Sequence, residues 1–329
     1  MIRLANLHDV DAIMNFIHHE WKENHILSKN KDFFLYEHRA GTEINFAISI
    51  DDDQQINGLL GFIPSSYAEK ADICTVIWKV AKRAGNPMLG MQLLEFLRDL
   101  GRFRTVMSVG INEKTIGIYK YMNMYTGRLK QYVLVNPALS EMRIAKLPPE
   151  MESPVFSDPE SRKLIPLDRD FSFNFEKYIN NIQYKDARYF NKRYFDHPIY
   201  KYNVFGIVYN KSISSILVMR VESAEQSQVL RIVDFIGDES ELKYISKELC
   251  EILKDNKYEY ADFFCYGLGD SQLKQAGFIE VDPDAEALII PNYFQPFIRK
   301  NIKVNFFSDT EGPDNLRLFK ADGDQDRPN

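Results

Sequence analysis

Twice along this chain, a group of short β-type runs leads into an amphipathic helix, another strand, a short helix and a closing strand. That repeated order restricts the chain to α/β architectures in which helices cover mixed sheets. In the first pass, a strand at 2–4 precedes a helix opening near His8 and Asp9, where Val10, Ile13, Met14, Phe16 and Ile17 recur at helical spacing. A second helical piece covers 33–38. Runs at 45–50 and 56–64 flank the Asp51-Asp52-Asp53 turn and read as a hairpin. A strand over 71–81 enters Lys82-Arg83 and Gly85-Asn86-Pro87, and a helix over 88–99 carries a Leu89, Leu93, Leu94, Leu97 stripe. A strand at 104–109, a helix at 115–122 and a strand at 127–135 close the pass. The second pass predicts helices at 174–184 and 187–195, then strands at 202–209, 213–221 and 230–235. A helix at 241–254, a strand at 260–265, a helix at 271–276 and a strand at 287–290 follow. The proline-containing stretch from Asn136-Pro137 to Pro154 separates the passes. The expected layout is a domain at 1–137, a linker at 138–170 and a second domain at 171–329.

A length of 329 residues suits two domains, and 45% hydrophobic with 27% charged residues supports packed cores rather than disorder. The net charge of −6 argues against nucleic acid or an anionic membrane as the main partner. Cys74, Cys250 and Cys265 are odd in number and lack metal-ligand spacing, so free thiols in a reducing cytoplasm are expected. The amino terminus has no signal-peptide core, and no apolar run is long enough to span a bilayer. The expectation is a cytoplasmic protein without membrane insertion.

Three features of the first half stand in the order that transfer from a thioester of coenzyme A requires. The first is a strand, a basic glycine-bearing loop and a helix: Trp78, Val80, Lys82, Arg83, Gly85, Asn86, Met88 and Gly90. A helix amino terminus presents unpaired N–H groups and the positive end of its dipole, which attract a pyrophosphate, and glycines let the backbone come close. The second is Asn112 with Tyr119, seven residues or about two helical turns apart, so both lie on one face. A phenol there can protonate the departing thiolate. The third is the 71–81 strand, whose N–H groups would polarise the thioester carbonyl if it parts from the 104–109 strand.

These pieces resemble the GNAT superfamily of acyl-CoA N-acyltransferases over the first 136 residues: Ile2-Arg3-Leu4-Ala5 with Asp9-Val10, the Gly85 to Leu94 segment, and Asn112 to Tyr119. Departures are visible. Met88 stands at the usual first glycine of the loop, Gly85 at the usual basic position, and Asn123-Met124 where Gly-Phe is common. Nearly the whole chain is also similar to two-domain GNAT-type sugar N-acyltransferases of surface polysaccharide (lipopolysaccharide, O-antigen) pathways in bacteria. The residues that carry this are Trp21 with His25-Ile26-Leu27, Asn191-x-Arg193-Tyr194-x2-His197-Pro198-x-Tyr200, Pro291-Asn292-Tyr293-Phe294 and Ala321 to Pro328. The resemblance implies two tandem GNAT-like domains, an acyl-CoA such as acetyl-CoA or hydroxybutyryl-CoA as co-substrate, and a dTDP-linked 3-amino-3,6-dideoxyhexose as acceptor. It makes Asn191, Arg193, His197, Tyr266, Asn292, Tyr293, Phe294, Asp324 and Arg327 candidate acceptor contacts.

The halves differ in what they offer. The second-half loop reads Gly237-Asp238-Glu239-Ser240-Glu241, whose carboxylates repel pyrophosphate while capping a helix well. Aligning Gly277-Phe278 on the Gly-Phe pair puts Leu273 at the tyrosine position, and leucine donates no proton. The second domain is therefore expected to shape the acceptor site and not to bind CoA. Plainer roles stand beside the chemical ones. Tyr119 can also be read as a packing residue, His25 as a structural histidine rather than a base, and Asn191, Arg193 and His197 as braces of a turn. Tyr293, Phe294 and Phe297 are a core or interface cluster or a shelf for a nucleotide base. The acidic terminus lacks the glutamate of a calcium loop, so no metal is expected; it is either frayed or folded back with its carboxylates towards the acceptor. No cysteine has an evident histidine partner, which favours direct attack of the amine over an acyl-cysteine route. Two other readings share this architecture, a FemABX-like aminoacyl or peptide transferase and a non-catalytic binding module.

Overall fold

Residues 44–50, 58–63 and 71–77 are buried without a break, so both faces of one sheet must be covered. The structure is a computed structural model that describes residues 1–149 and 162–328; the 150–161 part of the expected linker lies outside the described residues. Contacts divide the chain into two units. One is Met1–Thr126 with Phe307–Glu311 and Gly323–Asn329, and the other is Gly127–Phe306 with Gly312–Asp322.

The first unit runs β1 (Ile2–Asn6), α1 (Val10–Phe16), α2 (Ile26–Lys29), α3 (Lys31–His38), β2 (Arg39–Ala40), β3 (Glu43–Ile50), β4 (Ile56–Pro64), β5 (Asp72–Val80), α4 (Leu89–Asp99), β6 (Thr105–Ile111) and α5 (Ile116–Tyr121). Its sheet has the order β1-β3-β4-β5-β6, with β2 beside β3. The pairs from β1 to β5 are antiparallel, and β5 with β6 is parallel. One face packs Ile44, Phe46, Ile48 and Leu59 against Ile13, Phe16 and Phe34 of the early helices. The other packs Ala47, Leu60 and Phe62 against the leucine stripe of α4, all four leucines of which are buried. The period-two alternation of strands meets the 3.6-residue stripe of a helix on each face.

One extra residue in β5 controls what happens next. Leu60 faces Trp78, but Phe62 faces Thr75, so β5 bulges between Thr75 and Trp78. A bulge reverses the alternation beyond it. Ile73 before the bulge, and Trp78 and Val80 after it, accordingly pack into the same α4-side core.

The second unit begins within β7 (Tyr125–Val135) and continues through β8 (Lys163–Pro166), α6 (Ala187–Phe190), β9 (Asn203–Tyr209), β10 (Ser212–Ala224), β11 (Ser227–Gly237), α7 (Ser246–Asn256), β12 (Tyr260–Tyr266), α8 (Asp270–Gln275) and β13 (Ile279–Val281). Short strands β14 (Tyr293–Phe294), β15 (Phe297–Ile298), β16 (Val304–Ser308) and β17 (Leu318–Phe319) complete the chain. Its sheet order is β7-β12-β11-β10-β9-β8, with β13 beside β7 and β17 beside β12. Here too the central pair, β11 with β12, is parallel, and β11 bulges where Val218 faces Asp234 and Met219 faces Ile232. The chain is thus a tandem of two α/β units with mixed sheets, as its repeated order predicts.

Several elements depart from the sequence expectation. Only Phe175–Tyr178 of the 174–184 segment is helical, as a 3-10 turn. Phe171, Phe173, Phe175 and Tyr178 pack on one another and towards Phe190 there, a spacing that an α-helix does not present on one face. The 241–254 helix is a 3-10 turn, Glu239–Tyr244, followed by α7. The expected strand at 287–290 is reduced to one bridge between Ile289 and Lys146, and β13 takes the place beside β7. The side chain of Asn301 explains this. Its Nδ2 donates to the carbonyls of Asp282, Ala285 and Leu288 and its Oδ1 accepts from the Ile290 N–H, satisfying that backbone without a ladder. The first stretch of the first unit runs to Thr126, and most of β7 pairs with β12 and β13.

Candidate functional site

The parallel pair of the first unit stays together only over Asp72–Thr105, Ile73–Val106 and Cys74–Met107. The bulge follows at once. Beyond it, Val76–Val80 of β5 and Val109–Ile111 of β6 have no ladder to each other, so their carboxyl ends part, the place where ligands enter α/β sheets. Ser108 Oγ still donates to the Thr75 carbonyl at 3.1 Å, at the point of the split.

After β5 come a 3-10 turn, Lys82–Ala84, and Gly85 at φ 63°, a left-handed position where a Cβ would meet nothing within 4 Å. The loop is therefore open around Gly85. Asn86 Oδ1 accepts from the Met88 N–H at 2.9 Å and its Nδ2 donates to Gln92, which shapes the entry to α4. The Leu89 N–H that opens α4 donates to the Asn86 carbonyl at 3.2 Å, and Met88 in front of it gives no side-chain cap. Lys82 and Met88 are exposed. Arg83 is tied down: it pairs with Glu20 and donates to the Ile56 carbonyl. A Cβ at Gly90 would lie 3.3 Å from the Trp78 indole nitrogen, so glycine allows this helix to close on the end of β5.

Asn112 caps the 3-10 turn before α5 by accepting from the Lys114 N–H at 2.9 Å. Tyr119 is buried, its ring stacked on Phe307 with centroids 4.2 Å apart and tilted towards Trp78 at 6.1 Å. Burial raises its phenol above the ordinary range, against a hydrogen bond with Thr115, so it stays protonated as a donor must. Trp78, Gly90 and Tyr119 are thus gathered on the α4 side of the split. Asn123, in place of the common glycine, adopts φ 56°, which asparagine tolerates. The Met124 N–H then returns to the Tyr119 carbonyl at 2.9 Å, as the Phe278 N–H returns to Leu273 at 3.0 Å in the second unit. The same bond in both units supports pairing Leu273 with Tyr119.

The acidic terminus is not frayed. It re-enters the first unit, where a Cβ on Gly323 would come 2.6 Å from the Val109 carbonyl and the Gln325 side chain sits against Gly110. Arg327 pairs with buried Glu37 of α3, and Asp326 is buried. Asp324 is solvent-accessible, yet burial is what raises it to about 6, with Arg327 lowering it and Glu37 raising it. His25 is buried and its Nδ1 accepts from the Leu27 N–H at 3.2 Å, capping α2. In the neutral ring its other nitrogen then carries the proton.

The remaining candidates belong to the second unit and are held by packing. Arg193 Nη1 donates to the Tyr202 hydroxyl at 2.6 Å, His197 Nδ1 accepts from the N–H groups of Ile199 and Tyr200, and Asn191 gives its carbonyl to Asp196. The Asn292 carbonyl accepts from Arg231 at 2.9 Å, and its side chain accepts from Lys320. Arg231 lies over the ring of Phe294, Tyr293 is exposed, and Tyr266 meets Phe306 edge-on. Sequence reasoning missed Lys185, which is buried between Asp234 at 2.5 Å and Asp322 at 2.8 Å. The signal was Asp234 itself, a charge inside the apolar run of β11. Asp238 and Glu239 spend hydrogen bonds on Ser240 and Gly269, and Glu241 pairs with Arg162. Past Ile232–Phe263 the split of this unit is also occupied, since β17 pairs with β12 at Cys265–Phe319 and Tyr266–Leu318.

No family model and no curated protein matches this chain. Solved structures do. A GCN5-related N-acetyltransferase from Anabaena variabilis superimposes with a TM-score of 0.56 at 9% identity, covering 94% of this chain and 72% of its own. A probable N-acyltransferase from Enterococcus faecalis gives 0.53 at 7% identity, covering 94% and 71%. The fold is that of the GCN5-related N-acetyltransferases. At such identities the GNAT likeness describes architecture, and chemistry has to rest on the residues. Among the described residues no helix is long and apolar enough to cross a membrane, and no cluster of His, Cys, Asp and Glu is arranged to hold a metal.

Proposed function

We propose that this protein is an acyl-CoA-dependent N-acyltransferase whose acceptor is the amine of a nucleotide-linked, dTDP-type 3-amino-3,6-dideoxyhexose. The observation that carries the acyl-transfer reading is the split after Cys74 and Met107, with an open glycine loop, uncapped helix and buried tyrosine beside it. The sugar class rests on the sequence resemblance. The Gly85–Gly90 loop and the leading N–H groups of α4 would hold the pyrophosphate of CoA, with Lys82 adding attraction. Backbone N–H groups near Val80 face the carbonyl and stabilise the charge that develops on its oxygen. The amine lone pair forms the C–N bond as the C–S bond breaks, and the Tyr119 proton passes to sulfur. The amine proton leaves to water, with ionised Asp324 as the carboxylate assigned to the acceptor side. Asn191, Arg193, His197 and Asn292 brace the second unit rather than react.

The test is release of free thiol from acetyl-CoA or hydroxybutyryl-CoA with a dTDP-3-amino-3,6-dideoxyhexose present. Acylated sugar and stoichiometric thiol are expected. Absence of thiol release with any amine would leave a binding module, and release that requires charged tRNA would move the acceptor class to aminoacyl transfer.

A further inference from the structure

Arg83 stands two residues before Gly85, yet its side chain leaves the glycine loop. Its Nη1 donates to Glu20 at 3.0 Å and its Nη2 to the Ile56 carbonyl at 2.9 Å. Ile56 and Ile17 pack in the core on the early-helix face of the sheet, whereas the leucines of α4 cover the other face. Arg83 thus ties the loop to the early-helix side and turns its charge away from the start of α4.

Glu20 belongs to a π-turn, Ile17–Trp21, which continues α1 and packs beside β5. The Lys22 N–H closes this turn by donating to the Ile17 carbonyl, five residues back, at 2.9 Å. Such turns are rare, because they carry one residue more than the α-helical register needs. Closing the turn in the α register would rotate its side chains by up to about 100° around the axis and carry Glu20 away from Arg83. The ion pair therefore favours the π register over the α register. Its side chains are 47% exposed for Arg83 and 22% for Glu20, so the pair can break and re-form without unpacking a core. The turn leads into Trp21, which is exposed with its ring 6.1 Å from that of His25, and His25 caps α2. Two registers of one turn and a tie that fits one of them make a two-state element.

We propose that the Arg83–Glu20 pair couples the glycine loop to the π-turn, so that coenzyme held at the loop orders the Trp21–His25 segment. This rests on the coenzyme reading of that loop. The coupling is reciprocal: holding the π register tightens the loop on coenzyme. It is tested by hydrogen exchange of the full chain with and without coenzyme A, in the wild type, Glu20→Ala and Arg83→Ala. Glu20→Ala leaves the Arg83–Ile56 bond in place and so isolates the ion pair. In the wild type, coenzyme A should slow exchange in both 82–92 and 17–25. In each variant the slowing should persist in 82–92 and vanish in 17–25, and the Kd for coenzyme A should rise about two- to fourfold. Slowing of 82–92 alone in the wild type, or undiminished slowing of 17–25 in either variant, overturns the coupling and leaves the coenzyme reading standing. Absence of slowing at 82–92 in the wild type overturns both.

Discussion

At the scale of single residues, Tyr119 carries the sharpest expectation. Tyr119→Phe keeps the stack on Phe307 and removes only the proton donor, so kcat should fall by about 10²-fold with Tm unchanged. Thiol release by stopped-flow checks this, and an unchanged kcat would return Tyr119 to packing alone. Asp324 makes a pH prediction. Its pKa of about 6 means that activity should rise with pH through that value, and Asp324→Asn should flatten the profile while lowering its plateau. The same shift has an opposite sign for stability. A folded pKa above the unfolded one means that the folded state holds the proton longer, so this group's contribution is complete at low pH. It is lost as pH rises through about 6. Asp322 is raised by burial and acts in the same direction. Tyr119 was readable as a helix residue from local spacing, whereas Asn112 stands outside that helix as the exposed cap of the preceding 3-10 turn. The capping role of His25 was not readable, because it depends on the start of a short helix that the sequence leaves ambiguous.

Elements make their own predictions. Asn86 shapes the entry to α4, so Asn86→Ala should cost about 1 kcal/mol of stability and raise the KM for acyl-CoA, measured by denaturation and initial rates. Gly61→Ala pushes a Cβ within 2.8 Å of the Phe46 ring, which is itself stacked on Phe34 and cannot retreat. About 1–3 kcal/mol of destabilisation is expected from that overpacking. The leucine stripe of α4 and the strands of the first hairpin were legible because burial enforces a period. The segments at 174–184 and 287–290 were misread because their order comes from aromatic packing and from one asparagine, neither of which leaves a period.

For each unit as a whole, the Lys185 network and the returning terminus set stability. Lys185→Met would leave Asp234 and Asp322 buried without a cation, at a cost of about 3–5 kcal/mol in urea denaturation. Deleting Gly323–Asn329 removes the Arg327–Glu37 pair and the packing on Gly110, so hydrogen exchange in α3 and β6 should accelerate. Sequence periodicity by itself determined the two α/β passes, the helix faces and the difference between a glycine loop and an acidic one, since each depends on neighbours a few residues apart. The parting of β5 from β6, the carboxylates brought back by the terminus and the tie from Arg83 to Glu20 were decided only by tertiary structure. They join residues up to hundreds of positions apart, and no local preference records which strand a bulge will release or where a distant segment will return.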